Sequence, residues 1–252
     1  MGTRWSQAEV SDHKPWPSEE SSKTSGRDEQ IEAKPCESTI LANGGKKVEA
    51  QVITLPHNYE AILTDADSPI DKSSTGRLYD QLRAGKYWVD KKSNSNCFFL
   101  YARNLSITWA ENNRYWRWPC IQETSDAAVD VAELLDVCWL EVQGRFETAK
   151  LSPGAPYEVA FVIMLRDPAY GWEVPVNVRL TLPDGTKQEH KENLMKKPRG
   201  EWIEIPAGEF VTWPEKTGEI KFSIYENQGG EWKRGLIIKG VAIRPKNIGQ
   251  RD

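Results

Sequence analysis

The 252-residue chain carries 33 basic and 37 acidic side chains for a net charge of −4, so no basic excess points to nucleic acid or an anionic membrane surface. Its mean hydropathy is −0.63, and no apolar run approaches the ~18 residues that a membrane span requires. Cys36, Cys97, Cys120 and Cys138 show no C-x-x-C spacing and the histidines are only His13, His57 and His190, which argues against a zinc site. Eleven tryptophans are the compositional outlier.

The N-terminus, MGTRWSQAEVSDHKPWPSEE, has no apolar core and does not read as a secretory signal, so the thiols are expected to be reduced. Met1-Gly2-x-x-x-Ser6 fits the loose N-myristoylation pattern, a short match that mostly arises by accident. The sequon Asn104-Leu105-Ser106 is idle in a protein that is not secreted. Residues 1–55 contain no Phe or Tyr and too little apolar surface to offset their conformational entropy, so they are expected to form a disordered tail. A helical extension is expected over 56–95, with two short helices between about 57 and 86. One places Tyr59, Ile62 and Leu63 on a face with Asn58 as N-cap, and the other uses Leu78, Tyr79 and Leu82 with Gly85 at its C-cap.

From about residue 96 the apolar period becomes two. In VPVNVRLTL, Val174, Val176, Val178, Leu180 and Leu182 alternate with polar residues and Pro175 until the turn at 183–185. YEVAFVIML (157–165) is apolar on both faces apart from Glu158, as suits a central strand. Ile220, Phe222 and Ile224 alternate with Glu219, Lys221 and Ser223. Further strands are read at 98–109, 115–118, 137–143, 202–205 and 236–243. The pattern predicts an all-β domain over 96–247, an antiparallel, jelly-roll-like β-sandwich large enough for its own core.

No enzyme constellation emerges. G-x-S-x-G, H-E-x-x-H, the Walker loop and G-x-G-x-x-G are all missing. A cysteine nucleophile would need His57 or His190, and both read as solvated histidines, His190 within the charged loop KQEHKEN. Carboxylate pairs are uninformative among 37 acidic residues. The expectation is a protein without catalytic residues, cofactor or metal.

The informative stretch is SITWAENNRYWRW, Ser106–Trp118, with three indoles among amides, guanidinia and a carboxylate. Trp109 shares strand parity with Leu105 and Ile107, which would make it core, whereas the polar turn AENNR sets Trp109 and Trp116 near a loop end, where binding sites sit. Indole faces attract the C–H face of a pyranose while nearby carboxylates and amides take its hydroxyls. Trp139, between apolar neighbours in VCWLEV, is expected to be structural.

Together NLSITWAENNRYWRW, VCWLEVQGRFET, LSPGAPYEVAFVIML, DPAYGW and GEIKFSIYENQGGEWKRGLIIKGVAIRPK resemble the plant phloem protein 2 lectins and the tobacco lectin Nictaba, over about residues 96–247. The stretch LPHNYEAILTDADSPI is similar to the N-terminal extension of the phloem members. The resemblance implies a cytoplasmic or nuclear lectin of phloem sieve elements and companion cells that recognises N-acetylglucosamine (GlcNAc) oligomers and N-glycans. By motif it implies Trp109 (the Trp of S-I-T-W), Trp116 (the first of Y-W-x-W), Glu219 (of G-E-I) and Glu226 (of Y-E-N) as sugar-binding residues. Glu226 has the opposite parity to Glu219, so a bulge or the strand end is needed to turn it outward. Arg117 is bulkier than expected between two tryptophans and would narrow the site or add a donor. Where the shortest lectins of the family carry a lysine run resembling a nuclear address, this chain has only MKKPRG. The competing expectation is a structural phloem protein that assembles with a filament partner through its aromatics. Nucleic acid is disfavoured by charge, and pairing with a second copy is left open.

Overall fold

A computed structural model of the chain describes His57 and residues 87–90, 92–122 and 128–246. The tail expected over 1–55 and both helices expected between 57 and 86 lie outside the described residues, His57 apart. Among those residues the chain is β-structure joined by turns and single 3-10 turns. The strands are β1 Tyr87–Val89, β2 Asn96–Tyr101, β3 Ser106–Ile107, β4 Trp116–Arg117, β5 Cys120–Gln122, β6 Ala128–Asp130 and β7 Ala132–Leu134. They continue with β8 Leu140–Glu147, β9 Pro156–Tyr170, β10 Val176–Thr181, β11 Lys187–Glu192, β12 Ile203–Val211, β13 Glu219–Glu226 and β14 Arg234–Pro245.

Every pairing between these strands is antiparallel. Five strands form one sheet in the order β11-β10-β13-β8-β3. In the seven-stranded sheet β14 is the hub, bonded to β9 along one edge and to β2 and β7 along the other, with β1, β4 and β12 outside them. The period-two pattern explains the packing, because alternate side chains of a strand point to opposite faces. Val176, Val178 and Leu180 with Ile220, Phe222 and Ile224 bury one face of the smaller sheet. It meets Val159, Phe161, Ile163 and Leu165 of β9 and Leu236, Ile238, Val241 and Ile243 of β14 in one core, with the Phe161 and Phe222 rings edge to face across it at 6.0 Å. The result is a β-sandwich. As YEVAFVIML implied, β9 is central: its outward Ala160 and Val162 are buried as well.

Two readings change. The strand read over 98–109 is two strands in different sheets, because the chain crosses between them through a 3-10 turn at Ala102–Asn104. The charged segment around His190, read as a loop, is the edge strand β11. Edge strands are commonly charged, which limits pairing with other chains but hides the apolar alternation that reveals a strand.

Gly144 lies on the inward parity of β8 and pairs with Phe222. A Cβ there would sit 2.1 Å from Phe222 Cε2 and 2.9 Å from Leu105 Cδ2, so the ring occupies the space that the missing side chain leaves. Gly144→Ala should lower stability by ~1–3 kcal/mol through overpacking. Urea denaturation checks this, and an unchanged midpoint would show that the ring yields freely.

Candidate binding site

The segment from β3 to β4 is a chain of hydrogen-bonded turns. Thr108 N donates to Glu141 O (3.0 Å), Ala110 N to Ile107 O (3.1 Å), Asn112 N to Trp109 O (2.9 Å) and Trp116 N to Asn112 O (3.0 Å). The Asn112 side chain also accepts from Arg114 N at 3.0 Å, the short-range bond that fits asparagine to turns. Trp109 lies inside these turns with φ +61°. A bulky side chain is rare in that left-handed region, which costs ~1–2 kcal/mol. The turn has a consequence: strand parity would send Trp109 into the core with Ile107, but the residue is 46% exposed and its ring leans on Tyr115 at 5.2 Å.

Trp116 and Trp118 hold that conformation. Trp116 Nε1 donates to Thr108 O at 3.1 Å and Trp118 Nε1 to Ala110 O at 3.1 Å. The two carbonyls flank Trp109, so two indoles at i and i+2 on β4 and just after it clamp both sides of the strained residue. Trp118 is in turn covered by the Arg103 guanidinium, 3.8 Å from its ring centroid. Of the two tryptophans assigned to the site by motif, Trp109 is therefore at the surface. Trp116 is 2% exposed, with no face available to a ligand, and it belongs beneath the site.

Trp139 departs from expectation in the other direction. Leu140 and Val142 point inward, so alternation turns Trp139 outward, where it is 42% exposed. Its Nε1–H donates to Glu141 Oε2 at 3.3 Å, and Thr108 Oγ1 donates to the same oxygen at 3.4 Å. Gln143 Nε2 donates to Glu141 Oε1 at 2.6 Å. This carboxylate, which sequence reasoning passed over, stands beside the Trp109 loop and is oriented by three donors.

The two glutamates assigned by motif are separated. They begin and end the eight-residue strand β13, a span of ~23 Å at the usual strand rise. Glu219 faces outward at the end of the sandwich away from Trp109, near Lys221 Nζ (3.4 Å) and Arg145 Nη1 (3.8 Å). Glu226 pairs with Leu140 at the Trp109 end but keeps its inward parity, so no bulge turns it out. It is buried against Lys233, whose ammonium is fully enclosed and bonds to Glu226 Oε2 and Glu231 O. Glu226 Oε1 accepts from Gln228 N (3.0 Å) and Gly229 N (2.7 Å). Burial pushes the Glu226 carboxyl upward, but the Lys233 ammonium and the two backbone donors outweigh it and hold the group below the ordinary glutamate range. Arg117 neither narrows the site nor adds a donor to it: its guanidinium forks onto Glu133 at 2.7 and 2.8 Å, on the outer face of the larger sheet, where Arg166 shares the carboxylate at 2.6 Å.

Cys97, Cys120 and Cys138 are free thiols, and burial pushes the Cys97 thiol up to about 12, which leaves it a poor nucleophile.

Trp116→Ala should cost ~3–5 kcal/mol, as for a large ring removed from a core. Glu226→Gln should cost a similar ~3–5 kcal/mol because it strands the buried Lys233 ammonium. The folded Glu226 titrates below the unfolded value of ~4.3. Its contribution is therefore complete above that value and is lost as pH falls through the folded one. Urea midpoints at pH 7 and pH 3 check both statements: the difference between wild type and Glu226→Gln should shrink on acidification. A constant difference would remove the carboxylate from the account.

The family model for Phloem protein 2 matches residues 95–245. Protein PHLOEM PROTEIN 2-LIKE A1 of Arabidopsis thaliana is 49% identical over 79% of this chain and 85% of its own length. A protein of Luffa acutangula named "Lectin" is 48% identical over 77% of this chain and 96% of its own. Among solved structures, the CBM22-1 xylan-binding domain from Paenibacillus barcinonensis Xyn10C is 8% identical over 57% of this chain and 87% of that one, with a TM-score of 0.33. The match across the whole sandwich, with two relatives aligned over most of their length, places this chain in the Phloem protein 2 family.

Proposed function

We propose that the protein is a lectin without catalytic activity that binds GlcNAc oligomers and the GlcNAc-containing part of N-glycans. The observation that carries this reading is Trp109, an indole held in solvent by a strained backbone and clamped from below. Backbone strain of this kind persists only where the surroundings enforce it, and it concentrates at functional sites. The exposed indole suits the C–H face of a pyranose, and the Glu141 carboxylate beside it accepts hydrogen bonds from hydroxyls or an acetamido N–H. The Luffa relative named "Lectin" supports the same class.

In this reading Trp109 touches the sugar, while Trp116 and Glu226 support the loops around it. Glu219 lies too far along β13 to share a single sugar with Trp109. The protein acts in the cytoplasm of phloem cells on glycoproteins that carry such sugars, a placement favoured by the phloem names among its relatives. No helix among the described residues is long and apolar enough to cross a membrane. A second reading, assembly with a phloem filament protein, draws on Trp213 and Trp232, which are both more exposed than Trp109.

Isothermal titration with chitotriose tests the first reading. Wild type should bind, Trp109→Ala should lose at least tenfold in affinity (~1.4 kcal/mol) with an unchanged urea midpoint, and Glu219→Gln should bind as wild type does. Equal affinity of wild type and Trp109→Ala would take the ring out of the site, and absence of binding by wild type would favour the filament reading.

A further inference from the structure

We propose that residues 58–86 dock on the outer face of the larger sheet and form a third layer over β2, β14 and β9. The proposal is independent of the lectin reading.

That face is apolar where a two-layer sandwich would leave it in water. Cys97 of β2, Ala160 and Val162 of β9, and Ile237 and Ala242 of β14 are 1–9% exposed, yet none belongs to the core between the sheets. Alternation turns them to the opposite side. The register sets them side by side: Ala242 lies between Phe99 and Ala160, Gly240 lies between Tyr101 and Val162, and Ile237 is opposite Met164. The result is a low floor with taller rims. Phe99 and Tyr101, with ring centroids 4.9 Å apart, rise along one side, and Trp202 stands just before β12 on the other. Lys239 reaches between them, its Nζ 5.8 Å from the Phe99 ring centroid and 5.7 Å from that of Trp202. The outer face of the smaller sheet differs in kind, since its strands present Arg145, Arg179, Glu189 and Lys221 there and offer no cover to an apolar segment.

The occupant follows from where the chain enters and leaves. Asn96, at the start of β2, donates from Nδ2 to His57 O at 2.8 Å, and β1 begins at Tyr87, opposite Phe98 of β2. Residues 58–86 therefore depart from and rejoin the sandwich at the β1–β2 edge of this same sheet. Their sequence carries two apolar faces at helical spacing, Tyr59, Ile62 and Leu63, then Leu78, Tyr79 and Leu82. Helices so short are marginal in water and persist by packing an amphipathic face. Two of them side by side, ~8–10 Å apart, suit a floor that runs from β2 to β12, ~14 Å across at the usual strand spacing. Attachment at both ends gives the segment an effective concentration on the order of millimolar, which a second copy of the chain does not match at ordinary protein concentrations.

Photocrosslinking of the full chain tests this, with p-benzoylphenylalanine in place of Tyr59 or Tyr79 in separate samples. Each sample mixes unlabelled and heavy-isotope-labelled protein, so mass spectrometry separates adducts within one molecule from those between two. Adducts within one molecule on β9 or β14, from either position, are the expected result. Adding Leu78→Asp and Leu82→Asp should lower the yield from position 79 at least tenfold. Adducts confined to β1 and β2, adducts on the smaller sheet, adducts only between molecules, or none at all would each overturn the docking. An undiminished yield from the doubly charged variant would overturn it as well, because the apolar face would then not be what binds.

Discussion

Two indole N–H groups hold the turn around Trp109 in place. Trp116 and Trp118 donate to the carbonyls of Thr108 and Ala110, the residues on either side of Trp109, whose φ of +61° an L side chain rarely adopts. Without that clamp, strand parity would carry the Trp109 ring inward behind Ile107 and remove an aromatic face that stands beside a turn of polar side chains. A bond of this kind contributes ~0.5–1.5 kcal/mol, so two of them are comparable with the left-handed backbone they oppose, ~1–2 kcal/mol. Trp116 is anchored in the core, so the stability of the sandwich is transmitted directly to the position of the exposed ring.

The same end depends on a second buried arrangement. Lys233 has no exposed surface, and its backbone exchanges hydrogen bonds with Val137 at 2.7 and 3.1 Å. Its ammonium meets Glu226, which also ties down the turn at Gln228 and Gly229. Removing two charges from water is costly unless each meets a partner, and here the carboxylate has the Lys233 ammonium against one oxygen and two backbone donors on the other. The pair thus joins the ends of β13 and β14 to the Val137 segment that leads into Trp139 and Glu141. Glu226 matters to the site through position, not contact.

How much of this the sequence revealed depended on how local each signal is. The strands of the core were legible from period two, since Val176, Val178 and Leu180 or Ile220, Phe222 and Ile224 need no long-range information. Strand β11 was invisible because an edge strand of charged residues carries no apolar alternation. Trp109 was legible only from its polar turn, because its strand parity argues the opposite. Trp116 and Trp118 share a face, and nothing local says which way it points. Trp139 was misread from its apolar neighbours, although the inward parity of Leu140 and Val142 contained the answer. Glu226 showed its inward parity in the sequence, but its partner Lys233 becomes apparent only once β13 and β14 are folded.

The central claim is that the N–H clamp, not the bulk of the rings, sets Trp109 for binding. The most direct measurement is the chitotriose affinity of Trp118→Phe, which keeps an aromatic ring against Arg103 but removes the donor to Ala110 O. The account predicts a clear fall in affinity, about tenfold, at a stability within ~1–3 kcal/mol of wild type, the penalty for leaving one acceptor unpaired. Wild-type affinity in Trp118→Phe would contradict it.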